Sequence, residues 1–496
     1  MPPPGGASPG GASPGPSSLR QAIFPISRAE LPKFLLLASV KFFVVWALTV
    51  TRDTKDTLVV TQAGAEAIAF MKVYLVLPAA VLFTASYNAL ATKLRGRRNL
   101  LFYCTLAPFF LFFLAFDLFI YPSRASLQPP LALVEAYLGP GVLAKIVANW
   151  TSALFYVVAE IYSSASIGIL FWQVANEVVP VEQARRFYPL FGQMSSLAPV
   201  CAGQYVVRYS SRAGSFEGSL HRLTAGTTAC GIAIAACYHA GNKYIERTEP
   251  HLLAPKKPSS ATSKAKKKEK MSMSESARFL ASSPYLRLMA TLVVSYGLSI
   301  NLTEIIWKSL VKKQYPDPLD YSRFMGAFSS SVGAATFFVI FLGSNIIKFL
   351  GWRAGALMTP GIMMLLAVPF FTCIIAGVDS DRTLKAAVTL GMVQSLLSKA
   401  TKYALFDPTT QMAYIPLDEE SKVKGKAAID VLGSRIGKSG GSLVQQALVL
   451  WFGSILQAAP AVMLVYYAVL GSWWVSANRL SYMFHDLSAG KKIKNS

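Results

Sequence analysis

Charged side chains standing inside long apolar runs are where this sequence has chemistry to do. Glu160 sits in Tyr156-Val-Val-Ala-Glu-Ile-Tyr, and Glu304 follows Asn301-Leu-Thr and precedes Lys308 by one helical turn. Lys402 stands close to Asp407-Pro408, where a helix is expected to stop. A charge at bilayer depth costs roughly 2.5–3.5 kcal/mol on insertion scales, so such residues are kept for a substrate, an ion path or a fixed partner. In Thr51-Arg52-Asp53-Thr54-Lys55-Asp56, Arg52 and Asp56 lie four apart and read as a pair on one helix face. That leaves Lys55 without a local partner, and a solvated helix cap is the plainer alternative. Glu304 with Lys308, and Lys426 with Asp430, can likewise neutralise each other within a helix.

Gly433-Ser-Arg-Ile-Gly437-Lys438-Ser439 is one residue short of a phosphate-binding P-loop between its first glycine and its Gly-Lys pair. No apolar strand precedes it, so an ATPase site is rejected. What remains is Arg435 and Lys438 one turn apart, among small residues that give an anion access to them. Tyr156, Phe171, Trp172, Trp307 and Tyr403 could stack a base, although aromatics at helical spacing more often fill a core. The five cysteines lack CxxC spacing and read as small core residues, and the four histidines are scattered. Neither a metal site nor a cofactor is expected, nor is the nucleophile-bearing loop of a membrane-embedded phosphotransferase, so the chain does not read as an enzyme. Asn149-Trp-Thr and Asn301-Leu-Thr match the glycosylation pattern but fall at or inside apolar spans and are discounted.

The elements that must hold these side chains are membrane helices. Of 496 residues, 53% are hydrophobic and 15% charged, with a positive mean hydropathy of +0.42; a soluble chain carries about a quarter charged. Apolar runs about twenty residues long recur from Phe34 onward without period-two alternation. Spans are expected at 33–51, 68–91, 99–120, 144–175, 186–207, 221–240, 284–311, 323–350, 354–377, 384–406, 426–453 and 456–477. The fold class is an all-α polytopic membrane protein of about twelve transmembrane helices, major-facilitator-like, in two six-helix halves. The expected divisions are a tail (1–32), a first half (33–242), a basic linker on the inner side (243–283), a second half (284–480) and a C-terminal tail (481–496). Lys93 to Arg98, the linker and Lys422 to Lys426 are the basic loops, as inside loops should be. The formal charge is +23; residues Lys243 to Lys270 hold nine Lys/Arg and three Glu, a net of +6, which leaves +17 elsewhere. Part of that excess lies within spans and calls for an anion.

Two matches link the halves. Pro180-Val-Glu-Gln-Ala-Arg-Arg resembles Pro416-Leu-Asp-Glu-Glu-Ser-Lys, and Lys55-Asp-Thr-Leu-Val resembles Lys308-Ser-Leu-Val, under nearly the same offset. The fifth span carries Pro189, Gly192, Pro199 and Gly203, and the eleventh five glycines beside Lys426, Asp430, Arg435 and Lys438. Interrupted spans at matching positions point to a transporter's site, while close packing at the glycines is the alternative. From the residues alone the site is a cavity between two halves, lined with cations and a few carboxylates and suited to a phosphorylated anion.

Several stretches resemble the nucleotide transporter family of plastids and obligate intracellular bacteria, the plastid-type ATP/ADP translocases. They are Arg52-Asp-Thr-Lys-Asp-Thr-Leu-Val-Val-Thr, Ser299-Ile-Asn-Leu-Thr-Glu-Ile-Ile-Trp-Lys-Ser, Asp320-Tyr-Ser-Arg-Phe-Met-Gly, and Phe406-Asp-Pro-Thr-Thr-Gln-Met-Ala-Tyr-Ile-Pro-Leu-Asp through Gly425-Lys-Ala-Ala-Ile-Asp to Gly437-Lys-Ser-Gly-Gly-Ser. They run from the first span to the eleventh and look most like the algal, diatom-type branch. The resemblance implies counter-exchange of nucleotides, ATP against ADP in many members and other NTPs or dNTPs in some. It also implies four essential charged positions, which fall by motif on Lys55, Glu160, Glu304 and Lys438. Lys308, Lys402, Lys426 and Arg435 join them as substrate-binding candidates from the residues themselves. A proton-coupled symporter of phosphorylated anions, with Glu160 or Glu304 titrating, is the competing reading. The expected partners are nucleotides and membrane lipids rather than nucleic acid, with the chain acting as a monomer. Residues 1 to about 18 are Pro, Gly, Ala and Ser, read as disordered and without signal-peptide character. A plastid inner envelope therefore follows from the resemblance alone.

Overall fold

In lipid, backbone groups must pair within their own segment, so apolar runs become helices, and Ser, Asp, Pro and Gly at their ends set the bounds. The computed structural model describes residues 25–250, 273–418, 421–422, 424–426, 428–429 and 436–488, and among these it is all-helical. The first six long helices are α1 (Leu31–Ala63), α2 (Ala67–Lys93), α3 (Arg98–Ile120), α4 (Trp150–Val178), α5 (Val181–Arg208) and α6 (Phe216–Thr248). A short helix Met273–Ser282 leads into α7 (Pro284–Gln314). The stretch Pro318–Ile375 is helical on both sides of Gly351, whose φ of 80° and ψ of 173° turn the chain between α8 (318–350) and α9 (352–375). Then come α10 (Asp381–Thr401, continued through a π-helical turn Lys402–Phe406 and Asp407–Ala413), α11 (a π-helical turn Ile436–Gly440 running into Gly441–Phe452) and α12 (Ala459–Ser488).

Starts follow local chemistry. Ser215, Ser283 and Ser380 accept from Gly218 N, Leu286 N and Thr383 N at the heads of α6, α7 and α10, and Asp317 accepts from Leu319 N and Asp320 N at α8. Each cap is worth about 1 kcal/mol. Outside the spans, Arg186 of α5 grips Glu30 with two hydrogen bonds of 2.8 and 2.7 Å. The guanidinium holds that carboxyl down to about 2 and ties the entry of α1 to α5.

Eight of these helices, α1 to α4, α7 to α9 and α12, are long and apolar enough to cross a bilayer. Helices α5, α6 and α10 are more polar, and the apolar part of α11 is short. Leu82, Phe119, Phe349, Leu365, Leu450, Trp451 and Leu464 point outward, onto the surface that a bilayer covers. One apolar core gathers Phe34, Phe113, Tyr162, Phe171 and Phe191 from the first half. A second gathers Trp307, Phe328, Phe370, Tyr466 and Trp473, and takes in Val59, Ile68 and Phe70 from the first half as well.

Three expectations change. Helix α1 does not end near residue 51 but runs on to Ala63, so the charged string lies inside it and not at a solvated cap. Helix α10 does not stop at Asp407-Pro408; Pro408 falls in the first turn after the π-helical segment, where a missing N–H is tolerated. Nor is α5 interrupted: it is one helix with Pro189 and Pro199 inside, and its Gly203 is a packing position. A Cβ there would lie 2.2 Å from the Gly326 carbonyl oxygen and 2.6 Å from Ser330 N on α8. In the same way Gly437 of α11 abuts Gly297 of α7. Small residues thus let helices of the two halves approach along α5 and α8, as in other membrane bundles. Of the cysteines, Cys230 is buried as expected but Cys201 faces outward.

Candidate substrate-binding site

Arg52, Asp53, Lys55 and Asp56 lie within one turn and a half of α1, and the helix survives them because other helices supply counter-charges. Lys55 Nζ is 2.8 Å from Asp56 Oδ1 and 2.9 Å from Glu160 Oε1 on α4. The other carboxylate oxygen of Asp56 accepts from Lys308 Nζ of α7 at 2.8 Å. Lys308 in turn lies 3.3 Å from Glu304 Oε1, which is 3.5 Å from Lys399 Nζ of α10. The result is an alternating line, Glu160–Lys55–Asp56–Lys308–Glu304–Lys399, threading α4, α1, α7 and α10. Its middle members Lys55, Asp56 and Lys308 are 3–4% exposed. The side chains at its ends, Glu160, Glu304 and Lys399, are 20–24% exposed.

Three ammonium and three carboxylate groups cancel along the line. Removing one member of such a buried set costs about 3–5 kcal/mol, because it strands its neighbour. The Lys55 ammonium also lies 4.0 Å above the Tyr156 ring and that of Lys399 5.1 Å from the Phe328 ring. Beside the line, Arg52 Nη2 donates to Ser329 Oγ of α8 at 3.1 Å, and that hydroxyl donates to Asp53 Oδ2 at 2.6 Å. Lys72, at the head of a π-helical turn in α2, donates to Asn301 Oδ1 of α7 at 2.8 Å. Asn301 Nδ2 reaches on to the Gly437 carbonyl of α11 at 3.2 Å. Lys72 therefore brings one further cation to the edge of a neutral set.

The structure brings Lys55, Glu160, Glu304 and Lys308 together. The pairing of Glu304 with Lys308 is as the spacing suggests, but that of Arg52 with Asp56 is not. Arg52 turns to Asp53 and Ser329, because Asp56 is claimed by two lysines from opposite sides. Lys402 stands apart, 2.8 Å from Asp407 and over the Tyr403 ring. Lys426 is exposed and donates to Gln411 Oε1; its expected partner Asp430 lies outside the described residues. Arg435 also lies outside them, as does the side chain of Lys438, whose backbone belongs to the π-helical turn of α11. Trp307 is a core residue, its indole N–H given to the Val388 carbonyl and its ring packed on Phe324 and Phe328.

Asp56, Lys399 and Lys72 were not singled out by the sequence. Lys399 and Lys72 carry a legible signal, each a lysine inside an expected span (384–406 and 68–91). Asp56 has none without the topology, since the spacing along α1 offered it to Arg52. Among the described residues no three His, Cys, Asp or Glu side chains converge as a metal site.

The family described as TLC ATP/ADP transporter matches residues 13–484. The ADP,ATP carrier protein 1 of Chlamydia muridarum is 43% identical, over 96% of this chain and 92% of that protein. The chloroplastic ADP,ATP carrier protein 1 of Arabidopsis thaliana is 38% identical, over 95% and 77%. Among solved structures, a bacterial homologue of the iron transporter ferroportin in an inward-facing state superposes with a TM-score of 0.56 at 14% identity, over 90% of this chain and all of that one (100%). The nucleoside transporter NupG gives 0.52 at 12%, over 92% and 100%. At such identities these two speak for the fold alone, and it is the two-halved, major-facilitator-like one.

Proposed function

Since the chain belongs to the TLC ATP/ADP transporter family, we propose that it exchanges nucleoside di- and triphosphates across a membrane by alternating access, its intramembrane cations taking the phosphates. The observation that carries this reading is the Asp56–Lys308 bridge at 2.8 Å, buried and joining α1 to α7 across the halves. The cations a polyphosphate would need are already occupied by carboxylates. An entering polyanion must compete with Asp56, Glu160 and Glu304 for Lys55 and Lys308, and so loosens the buried bridge that helps to hold the halves together. When the nucleotide leaves, the line re-forms and the empty carrier is held where it is. Exchange rather than one-way passage follows from that competition.

A monomer is the working unit in this reading. The chloroplastic relatives support a plastid inner envelope as the membrane served, while the chlamydial ones support that of an intracellular bacterium. Lys438, through the resemblance of its motif, completes the phosphate contacts in this reading. The test is a counter-substrate panel. Proteoliposomes loaded with ADP, ATP, other NTPs or dNTPs take up labelled ATP at rates that rank the internal partners, with no response to collapse of the pH gradient. Uptake that follows the pH gradient and ignores the internal nucleotide would instead establish proton symport.

A further inference from the structure

Besides Lys33, which pairs with Glu249, helix α1 holds another buried cation that the ion line does not use. Lys41 is 7% exposed, and among the described residues no carboxylate pairs with it. Its Nζ lies 5.1 Å from the centroid of the Phe171 ring and 4.8 Å from that of Trp172. Both rings belong to the π-helical segment Ser166–Gln173 of α4. Such segments are uncommon and often mark functional positions. Here the others include those that begin with Lys72 and Lys402 and that contain Lys438. Trp172 is half-buried, with Tyr188 of α5 edge-on at 4.9 Å.

Lys41 and Lys55 are fourteen residues apart, about 21 Å along the helix and nearly four whole turns, so both look toward α4. Lys41 lies toward the linker end of the bundle, where Lys33 and Glu249 join α1 to α6. Aromatic faces offset only part of the cost of burying an ammonium group, which argues that an anion comes to it.

We propose that Lys41, with Phe171 and Trp172, is a second phosphate station, taking an anionic phosphate of the nucleotide on the linker side of the central line. The station rests on the exchange reading and adds a sided step to it: a nucleotide from the linker side meets Lys41 before it competes for Lys55 and Lys308.

The experiment compares the wild type with Lys41→Gln and Lys41→Arg in exchange of labelled ATP for ADP. Intact bacterial cells expressing the protein present the face away from the linker, and inverted membrane vesicles present the linker face. Lys41→Gln is expected to raise KM about tenfold at the linker face, the worth of one charge-assisted contact, and to leave KM at the other face within about twofold. Lys41→Arg keeps the linker-face KM within about twofold. The same KM contrast in zwitterionic vesicles with oriented protein assigns the effect to nucleotide phosphate; its loss there would assign the cation to an anionic headgroup and overturn the station. Because Lys41→Gln removes an unpaired buried charge, it is also expected to raise the melting temperature in detergent. A variant that melts lower or fails to insert, or equal KM changes at both faces, would make Lys41 a packing residue. Unchanged kinetics alongside a working wild type would overturn the station alone. A wild type with no exchange would overturn the exchange reading, and the station with it.

Discussion

Asp56 accepts from two lysines, one next to it on α1 and one 252 residues away on α7. Its loss should be felt on both sides. Asp56→Ala and Lys308→Ala are each expected to destabilise the protein by about 3–5 kcal/mol, since each strands a buried charge. The double variant should lose less than the sum, because each change removes the charge that the other strands. A thermal-unfolding cycle in detergent should give a coupling of about 1–3 kcal/mol; additivity within about 0.5 kcal/mol contradicts a direct bridge. At this scale the identities of Lys55, Glu160, Glu304 and Lys308 were legible, because a charge in an apolar run is costly enough to stand out. Their partners were not. Spacing along one helix offered Asp56 to Arg52, and only the packing of α1 against α7 delivers it to Lys308. Lys55 and Lys308, which the short matches set at corresponding positions of the two halves, flank the same carboxylate.

At the scale of elements, α5 and α8 lie close because glycine and serine line their contact. Gly203→Ala puts a methyl group 2.2 Å from the Gly326 carbonyl, and backbone cannot yield as the end of a side chain can. The expected cost is about 1–3 kcal/mol of stability, as for overpacking elsewhere, and a larger loss of exchange, since the halves cannot close there. A melting temperature and an exchange rate within error of wild type would show that the contact is looser than drawn. The prolines and glycines of α5 were legible as unusual, yet they were read as a break. A sequence shows that a residue is small, but whether the room serves a bend or a neighbour depends on what packs there. The π-helical turns in α2, α3, α4, α10 and α11 were not legible at all. One extra residue in a turn shifts the face that follows by about 100°, and a five- to eight-residue segment within a long apolar run is too short for hydropathy to register that shift.

For the whole molecule, twelve spans in two halves could be read from hydropathy, charge asymmetry and the weak repeat, even where α5, α6, α10 and α11 fall short of an apolar span by themselves. Composition cannot reveal that the halves are joined by charge at their centre. The two halves share a neutral line of six ionisable groups, which in the proposed exchange a polyanion opens and an empty site closes again. The most direct measurement is uptake of labelled ATP into proteoliposomes, loaded with ADP or left empty, by the wild type and by Asp56→Ala/Lys308→Ala. If the bridge holds the empty carrier with about 3 kcal/mol, loaded wild-type vesicles should outpace empty ones by about 100-fold, and the double variant should bring that ratio below about tenfold. Equal uptake into loaded and empty vesicles by the wild type, or a ratio untouched by the double variant, would contradict the account.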